Sequence, residues 1–455
     1  MIAPSPTCPG CLALRAEVQR LSRELDELRR SHKRQATPFS RRQRKLHPKP
    51  PGRPKGHAPA LRPTPTPQTI DRVIDVPCPE CPECHVPLYD QHVVVQYQTD
   101  LPPIVPIVTQ FNIEAGTCPC CRESRQGRHL EQTSDALGAA GNTLGPVVLT
   151  MAAELKHRLG VPYRKICDFF LTYCDLKVCP AALVRAEQRL ADRAAPTHHL
   201  LLEALRQANV VHADETGWRI GALSAWLWVF SSKDITIYAI RTGPSARGHE
   251  VPEDILGPDF DGYLIVDGFA AYDVLEVAKG RCNAHLLRRC KELTDVVPAR
   301  EKDHVETLIA LLQDAIGLAK RREELTPVGY ERRVQETENR LDDWLDANLR
   351  RHKISPDLDR LDMHIRKHRG EWLVFLHDPE VPPTNNHAEQ MLRPAVITRK
   401  VGGCNKTLWG ALVHSILASI MVTCKRQGKR FLDLARRLWQ TSQLKAIDLT
   451  LLPVV

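Results

Sequence analysis

The chain has 455 residues, enough for roughly two to four domains and a sizeable buried core. Its formal net charge of +9 is unevenly spread, because no acidic residue lies between Glu27 and Asp71. No apolar run approaches the roughly 20 residues that span a bilayer, and the N-terminus lacks the layout of a signal peptide. These features argue against a membrane or secreted protein. We expect a cytoplasmic one whose 15 cysteines are reduced thiols, some of them metal ligands.

Residues 1–30 are expected to form a leucine-zipper-like helix. Apolar residues recur in alternating steps of four and three at Leu14, Val18, Leu21, Leu25 and Leu28. This spacing favours a short coiled coil with another chain, so we expect a homo-oligomer. An amphipathic helix docked on its own protein is the alternative.

Residues 31–70 are rich in proline and basic residues, and we expect an extended linker there. A stretch this basic binds a polyanion by releasing condensed counterions. Its sequence PGRPKGH resembles an AT-hook, in which Arg53 and Lys55 would enter a narrow minor groove of A·T-rich DNA. A solvated basic linker without sequence preference is the alternative, and either one predicts binding to DNA.

The segment 71–130 contains two cysteine clusters, CPECPECH and TCPCC, separated by the β-like stretches HVVVQYQ and IVPIVTQF. Two cysteine pairs with two-residue gaps can place four thiolates around one Zn²⁺, which predicts a small structural zinc-binding β unit. The preferred ligands are Cys81, Cys84, Cys118 and Cys121. Cys78 and Cys120 compete with them, and unliganded buried cysteines are the alternative.

Helical spacing dominates residues 131–208, which we expect to be a helical connecting or DNA-binding region. Four prolines are expected to break it into short helices: Pro146, Pro162, Pro180 and Pro196. Residues 161–178 have a generic helix-turn-helix pattern, for which a structural helical layer is the favoured interpretation.

The first candidate catalytic acid, Asp214, lies in the β-like run NVVHADETGWRI. The alternation of this run places His212 and Asp214 on one face. Two more strands follow in SAWLWVFSS and ITIYAIRTG, and PSARGHEVPEDIL is compatible with a helix. GYLIVDG is nearly continuous and apolar, typical of a strand buried on both faces, and it ends in Asp267. This order, over residues 209–299, predicts a multidomain α/β protein with a ribonuclease-H-like core. Neighbouring strands would bring Asp214 and Asp267 together.

A third acidic residue, Glu389, is expected in the first turn of a helix that Pro382 and Pro383 precede. The residues from 300 to 370 are charged and helically periodic, which predicts a helical insertion, and 371–455 would complete the core. Carboxylates are the ligands that Mg²⁺ and Mn²⁺ prefer, and two such ions can serve phosphoryl transfer. The three acids therefore predict an enzyme that cuts or joins nucleic acid.

Several motifs resemble the transposases of the insertion sequence 66 family: DETGW, YLIVDGFAAYD, CNAH, NNHAEQMLRP and SILASIMVTCKRQG. The leader helix, basic linker and cysteine unit stand in that family's order, so the resemblance covers nearly the whole chain. His85 stands where glycine usually follows the cysteine knuckle, and Cys78 is extra. These departures put the assignment of the zinc ligands in doubt more than the assignment of the three acidic residues.

The resemblance implies a DDE transposase with Asp214, Asp267 and Glu389 as its acidic triad and Mg²⁺ or Mn²⁺ as cofactor. It implies binding to the terminal inverted repeats of an element, nicking of the ends, and strand transfer of the freed 3′ hydroxyl into target DNA. Small accessory proteins of the same element are further implied partners, and the protein would associate with the nucleoid when bound to DNA. The alternatives are a zinc-containing DNA-binding regulator without chemistry and a ribonuclease-H-like nuclease without strand transfer.

RCNAH supplies Cys282 and His285, which match a CxxH element that the family carries after the second aspartate. The resemblance implies that His285 approaches the scissile phosphate or a flipped nucleotide while Cys282 supports it. A half zinc site and a purely structural histidine are the alternatives.

Cations follow the third acid in LRPAVITRK. Arg393, Arg399 and Lys400 are expected to hold DNA phosphates there, since phosphate contacts position a substrate without reading its sequence. An ordinary solvated face is the alternative.

Overall fold

The computed structural model describes residues 62–349, 355–440 and 444–454. The expected N-terminal helix and most of the basic linker, with Arg53 and Lys55, lie outside the described residues. The protein comprises two compact units that divide between Val105 and Pro106. This division falls between the two cysteine clusters, inside the segment for which the sequence predicts one zinc-binding unit.

The β-like stretches between the cysteine clusters are not strands. Residues 91–114 have no regular secondary structure, and Val93, Val94 and Val95 are 91%, 79% and 64% exposed. The prediction of strands there is wrong. Alternating apolar residues form a stable strand only when a neighbouring strand or helix packs on them, and these side chains face solvent.

Seven strands lie in the described part of the chain: β1 Ala115–Thr117, β2 Ser124–Gln126, β3 Val210–Ile220, β4 Leu223–Ser231, β5 Thr236–Thr242, β6 Tyr263–Val266 and β7 Ala278–Arg281. β1 and β2 form an antiparallel hairpin, and the other five form one sheet in the order β5-β4-β3-β6-β7. β3, β4 and β5 are antiparallel neighbours, whereas β6 pairs in parallel with both β3 and β7. The predicted meander and the buried strand before Asp267 are confirmed; β7, whose sequence AKGR is mostly polar, was not foreseen.

The α-helices of the described residues are α1 Pro146–Ala153, α2 Tyr163–Cys174, α3 Pro180–Arg206, α4 Glu250–Leu256, α5 Asn283–Thr294, α6 Ala299–Lys320, α7 Pro327–Leu349, α8 Pro356–Lys367, α9 Asn386–Gly402, α10 Leu408–Arg426 and α11 Phe431–Gln440. A π-helical turn, Glu154–Arg158, continues α1. Short 3₁₀ helices occupy Pro67–Thr69, Gly138–Gly141, Pro244–Arg247, Ala270–Tyr272, Arg322–Glu324, Arg369–Glu371, Val374–Leu376 and Leu449–Leu451.

One proline does not end a helix as predicted. Pro146 and Pro180 begin α1 and α3, and Pro162 precedes α2, but Pro196 lies inside the 27-residue α3. Proline inside a helix removes one backbone hydrogen bond, and packing of an apolar face can offset that cost. Residues on both sides of Pro196, including Ala194 and Leu201, are buried in the main core, which holds the helix together.

The two faces of the sheet pack against different helices. Val211 and Ala213 of β3 face the core built with α3, α4 and α11, whereas Trp218 and Ile220 face a second cluster that includes α9. Because side chains alternate along a strand, Asp214 points to the α9 side. The helices α5 to α8 form a third cluster, in contact with Ile265 of β6.

The sequence predicts no segment long and apolar enough to span a bilayer, but helix α10, Leu408–Arg426, meets that criterion by length and composition alone. However, 72% of its apolar segment is buried inside the protein. Its Ser419 and Thr423 hydroxyls accept hydrogen bonds from the backbone N–H groups of Tyr238 (2.8 Å) and Thr236 (3.0 Å) on the edge strand β5. The helix therefore serves as a core element that covers a sheet edge.

A buried polar cluster surrounds the π-helical turn. The Glu187 side chain, 3% exposed, contacts His157 Nε2 at 3.0 Å and accepts a hydrogen bond from the Tyr163 hydroxyl at 2.5 Å. His157 Nδ1 lies 3.0 Å from His414 Nδ1, which ties the turn to α10. Burial, followed by the charge of Glu187, raises the pKa of Tyr163 far above its ordinary value, so this hydroxyl remains a donor.

We expect Glu187→Gln to destabilise the protein by about 1–3 kcal/mol, because the carboxylate charge that His157 and Tyr163 contact at Oε2 is lost and an amide NH₂ without a partner occupies the buried position of Oε1. The lower urea midpoint would show this. Glu203→Gln is the control on the same helix: Glu203 is 48% exposed and pairs with Arg206 at the surface, so a change within about 0.5 kcal/mol is expected. Equal midpoints for the two variants would contradict this role of Glu187.

Candidate active site

Asp214 and Asp267 come from adjacent strands at the same level. β3 and β6 pair in parallel with His212 opposite Ile265, and the same register continued by two residues brings Asp214 level with Asp267. Neighbouring strands lie about 4.8 Å apart. The structure therefore brings these two predicted residues together at the end of β6.

Glu389 reaches the same edge from the first turn of α9. Asn385, which precedes α9 and is 1% exposed, donates from its amide to the Ala213 carbonyl (2.7 Å), and its Oδ1 contacts His212 Nδ1 (2.9 Å). These bonds anchor the start of α9 on β3, beside Asp214. Sequence reasoning assigned Asn385 no role; its place one turn before Glu389 was the available signal.

The acids influence one another electrostatically. Burial first, and then neighbouring carboxylates that include Asp267 and Glu389, raise the pKa of Asp214 to about 7, although the Glu215 backbone N–H opposes the shift. Carboxylates placed this close repel one another unless a cation offsets their charge.

The donor set suits Mg²⁺ or Mn²⁺, because both ions prefer hard carboxylate oxygens. Across residues 62–349, 355–440 and 444–454, no three His, Cys, Asp or Glu side chains are gathered closely enough to hold an ion together. The fit rests on the chemistry of the three carboxylates and on their nearness, since Asp267 and Glu389 add to burial and Glu215 in raising the pKa of Asp214.

The CNAH motif lies against the third acid. The Cys282 thiol is buried and accepts a hydrogen bond from the Asn385 backbone N–H at 3.1 Å, and His285 Nε2 is 3.6 Å from Glu389 Oε1. Contact with Cys282 is the largest influence that raises the pKa of His285; burial opposes it, and Asp267 and Glu389 add to it. His285 is therefore biased toward its cationic form at the edge of the acidic cluster.

A buried arginine that sequence reasoning missed holds the second acid in place. Arg281, at the end of β7, has a fully buried side chain and donates to the Asp267 carbonyl at 3.1 Å. It also contacts Glu371 (Nε–Oε2 2.6 Å), His368 (3.1 Å) and Asp273. These contacts connect the turn after β6 to the segment that follows α8.

The cations after Glu389 have different surroundings. Arg393 and Lys400 are exposed, and neither has an ion-pair partner within the described residues. Arg399 instead donates to the Thr216 hydroxyl (2.9 Å) and the Gly217 carbonyl (2.5 Å) of β3. Its Nη1 therefore holds α9 against the sheet, and the expected contact of Arg399 with DNA stays a prediction.

Each cysteine cluster forms the same local turn. The Cys81 N–H donates to the Val86 carbonyl and the His85 N–H to the Cys81 carbonyl, both at 2.9 Å. Cys118 repeats this pattern with Glu123 and Arg122, also at 2.9 Å. His85 and Arg122 both have φ of 56°, the left-handed conformation that favours glycine.

The thiols inside the two turns share an electrostatic feature. The pKa of Cys81 is lowered, chiefly by the backbone N–H of Cys84, and that of Cys118 is lowered, chiefly by the backbone N–H of Cys121. Cys78 lies before its turn, where its thiol contacts the Glu80 carbonyl at 3.6 Å. The two turns therefore place Cys81 with Cys84 and Cys118 with Cys121 in equivalent positions.

The fold and site together define an α/β protein with three acidic side chains directed at one edge of its sheet. Residues 141–413 match the profile described as the transposase IS66 family. This is more than half of the chain, and the chain belongs to that family. A segment of 75 residues is 32% identical to the uncharacterized protein y4jO of Sinorhizobium fredii (strain NBRC 101917 / NGR234), and it covers 16% of this chain and 23% of that protein.

Proposed function

We propose that this protein is a DNA transposase that nicks the ends of its element and joins the freed 3′ hydroxyl to target DNA. The observation that carries the proposal is the approach of Asp214, Asp267 and Glu389 to one edge of the sheet in a member of a transposase family. The terminal inverted repeats of the element and the target DNA would be its substrates.

The strand order supports a ribonuclease-H-like core. Three antiparallel strands are followed by a helix and by two strands parallel to β3. Asp214 within β3 is level with Asp267, which follows the end of the neighbouring strand β6. Helices α6 to α8 lie between the second acid and the third, which fits the helical insertion predicted for residues 300–370.

Asp214, Asp267 and Glu389 would hold Mg²⁺ or Mn²⁺. Such ions, when bound, stabilise the attacking and leaving oxygens of a phosphoryl transfer. The chain's own residues would do the rest: Asn385 fixes α9 on β3, and the cationic form of His285 would donate a hydrogen bond to a DNA phosphate. Cys282, which raises the pKa of His285, would support it in this role.

The DNA would run along the exposed face of α9. Arg393 is four and Lys400 eleven positions after Glu389, and these spacings return to nearly the same face of a helix over about 16 Å. Arg53 and Lys55 of the basic linker would add sequence-independent contacts. A homo-oligomer is proposed because two ends of one element must be joined, with the N-terminal helix as the pairing element and small accessory proteins as further partners.

We propose Cys81, Cys84, Cys118 and Cys121 as Zn²⁺ ligands, because thiolates are the zinc-binding form and their two turns are alike. Purified Cys81→Ser and Cys118→Ser should therefore lose bound zinc when metal content is measured. Cys78→Ser and Cys120→Ser are the matched controls and should retain it. Loss of zinc in a control but not in Cys81→Ser would contradict the assignment.

The proposed chemistry is tested with purified protein and a labelled duplex from the DNA that flanks this gene. Nicking at the element end with Mn²⁺, and none with EDTA, supports the proposal. Binding without cleavage under both conditions would contradict it and favour a DNA-binding regulator.

A further inference from the structure

An arginine lies between two aromatic rings beside the acidic residues. The Arg247 guanidinium carbon is 4.1 Å from the ring centroid of Trp226 and 4.1 Å from that of Phe269. Phe269 in turn donates its backbone N–H to Asp267 Oδ1 at 2.8 Å. Phe269 therefore contacts both Arg247 and the second acid, Asp267.

The orientation of Arg247 is fixed from several sides. Its Nη2 and Nε lie 2.9 and 3.2 Å from Glu215 Oε1, while the Tyr272 hydroxyl donates to the other Glu215 oxygen at 3.2 Å. The preceding residue is held as well, because Trp228 Nε1 donates to the Ala246 carbonyl at 2.9 Å. The guanidinium is thus positioned before any ligand arrives, which lowers the entropy cost of binding.

The free part of this guanidinium suits a phosphate. Nη1 has no hydrogen-bond partner within the described residues, and the side chain is 45% exposed. Two aromatic rings already lie against the guanidinium, so the groups it offers a ligand are its remaining N–H donors. These donors match phosphate oxygens.

The surrounding charge favours the same ligand. Burial first, and then nearby negative charge that includes Asp267, raises the pKa of Asp214 and of Glu215. The negative charge of these neighbouring carboxylates would repel a DNA strand. The positive charge of Arg247, which contacts Phe269 beside Asp267, offsets that repulsion.

We infer that Arg247 binds a backbone phosphate of the DNA strand that passes the acidic residues, with Glu215, Trp226 and Phe269 as its positioning residues. This inference rests on the proposed function and extends the DNA path beyond α9. Glu215 is on this basis a partner of Arg247 and not a metal ligand.

The salt dependence of DNA binding tests the inference. Each phosphate contact contributes about 0.9 to the slope of log K against log salt for duplex DNA. With the flanking-DNA duplex in Ca²⁺ buffer, Arg247→Gln should therefore lower the magnitude of the slope by about 0.9. Arg247→Lys should retain the slope with weaker binding, because it keeps the charge and loses the planar fork. Arg241→Gln, which removes an exposed arginine paired with Asp254 (2.7 Å), is the control and should leave the slope unchanged.

The double variant Glu215→Gln/Arg247→Gln avoids an unpaired buried carboxylate and should show the same reduced slope as Arg247→Gln. A wild-type slope in both variants would overturn the inference. The proposed function fails separately, if the wild-type protein does not nick the duplex in Mn²⁺.

Discussion

Asp267→Asn should abolish nicking and joining of DNA, with a loss of at least about 10³-fold in rate. Loss of a metal-binding carboxylate removes several kcal/mol of transition-state stabilisation, and each 1.36 kcal/mol is a factor of ten. Asparagine has nearly the same shape and can still accept the Phe269 N–H bond, so the fold should be retained. The charge of Asp267 helps to raise the pKa of Asp214, and its removal should lower that pKa.

Nicking rates of wild type and variant in Mn²⁺ measure the effect, with DNA affinity measured in parallel. Asp261→Asn is a matched control, because Asp261 is exposed and lies just before the same strand that Asp267 follows. Wild-type nicking by Asp267→Asn would remove Asp267 from the triad. Equal loss in Asp261→Asn would show that the assay responds to any change near β6.

Arg281→Met should destabilise the protein by about 2–4 kcal/mol and reduce nicking in the fraction that folds. Breaking a buried ion pair leaves carboxylates without their partner, which costs about 3–5 kcal/mol when burial is complete. Here Asp273 and Glu371 are 14% and 24% exposed, and Lys367 remains beside Asp273, so a smaller cost is expected. The Asp267 carbonyl also loses its donor.

Urea unfolding measures the change in stability, and the Mn²⁺ concentration for half-maximal nicking measures the positioning effect. That concentration should rise in Arg281→Met, because the turn that carries Asp267 is no longer fixed. Arg340→Met is the control: Arg340 pairs with Asp314 at the surface, 49% and 62% exposed, and should change stability by less than about 1 kcal/mol. Equal unfolding midpoints for Arg281→Met and wild type would refute this role of Arg281.

The sequence was sufficient for the elements whose pattern is local. The alternation in VVHADETGWRI and the apolar run YLIV specify β3 and β6, and the parallel register then places Asp214 beside Asp267. Glu389 was located by the same kind of signal, two prolines and a polar start before a helix. Local pattern suffices here because periodicity and helix termini depend on neighbours in the chain.

The contacts around the acids could not be predicted, because they join residues far apart in the chain. Arg281 meets Glu371 across 90 positions and Arg247 meets Glu215 across 32. Arg399 donates to the carbonyl of Gly217, 182 positions earlier, a contact that the sequence does not indicate. The stretch at Val93 shows the opposite failure: its β-branched residues suit a strand, but their side chains are largely exposed.

Strand transfer by this protein can be measured in a single assay. The substrate is a duplex with a pre-nicked element end, and its label is on the strand that ends in the exposed 3′ hydroxyl. It is incubated with a supercoiled plasmid, Mn²⁺ and either wild-type protein or Asp267→Asn. We expect labelled plasmid with wild-type protein and none with the variant. Nicked plasmid without label would contradict strand transfer and identify a nuclease that only hydrolyses. Equal labelling by the variant would remove Asp267 from the chemistry.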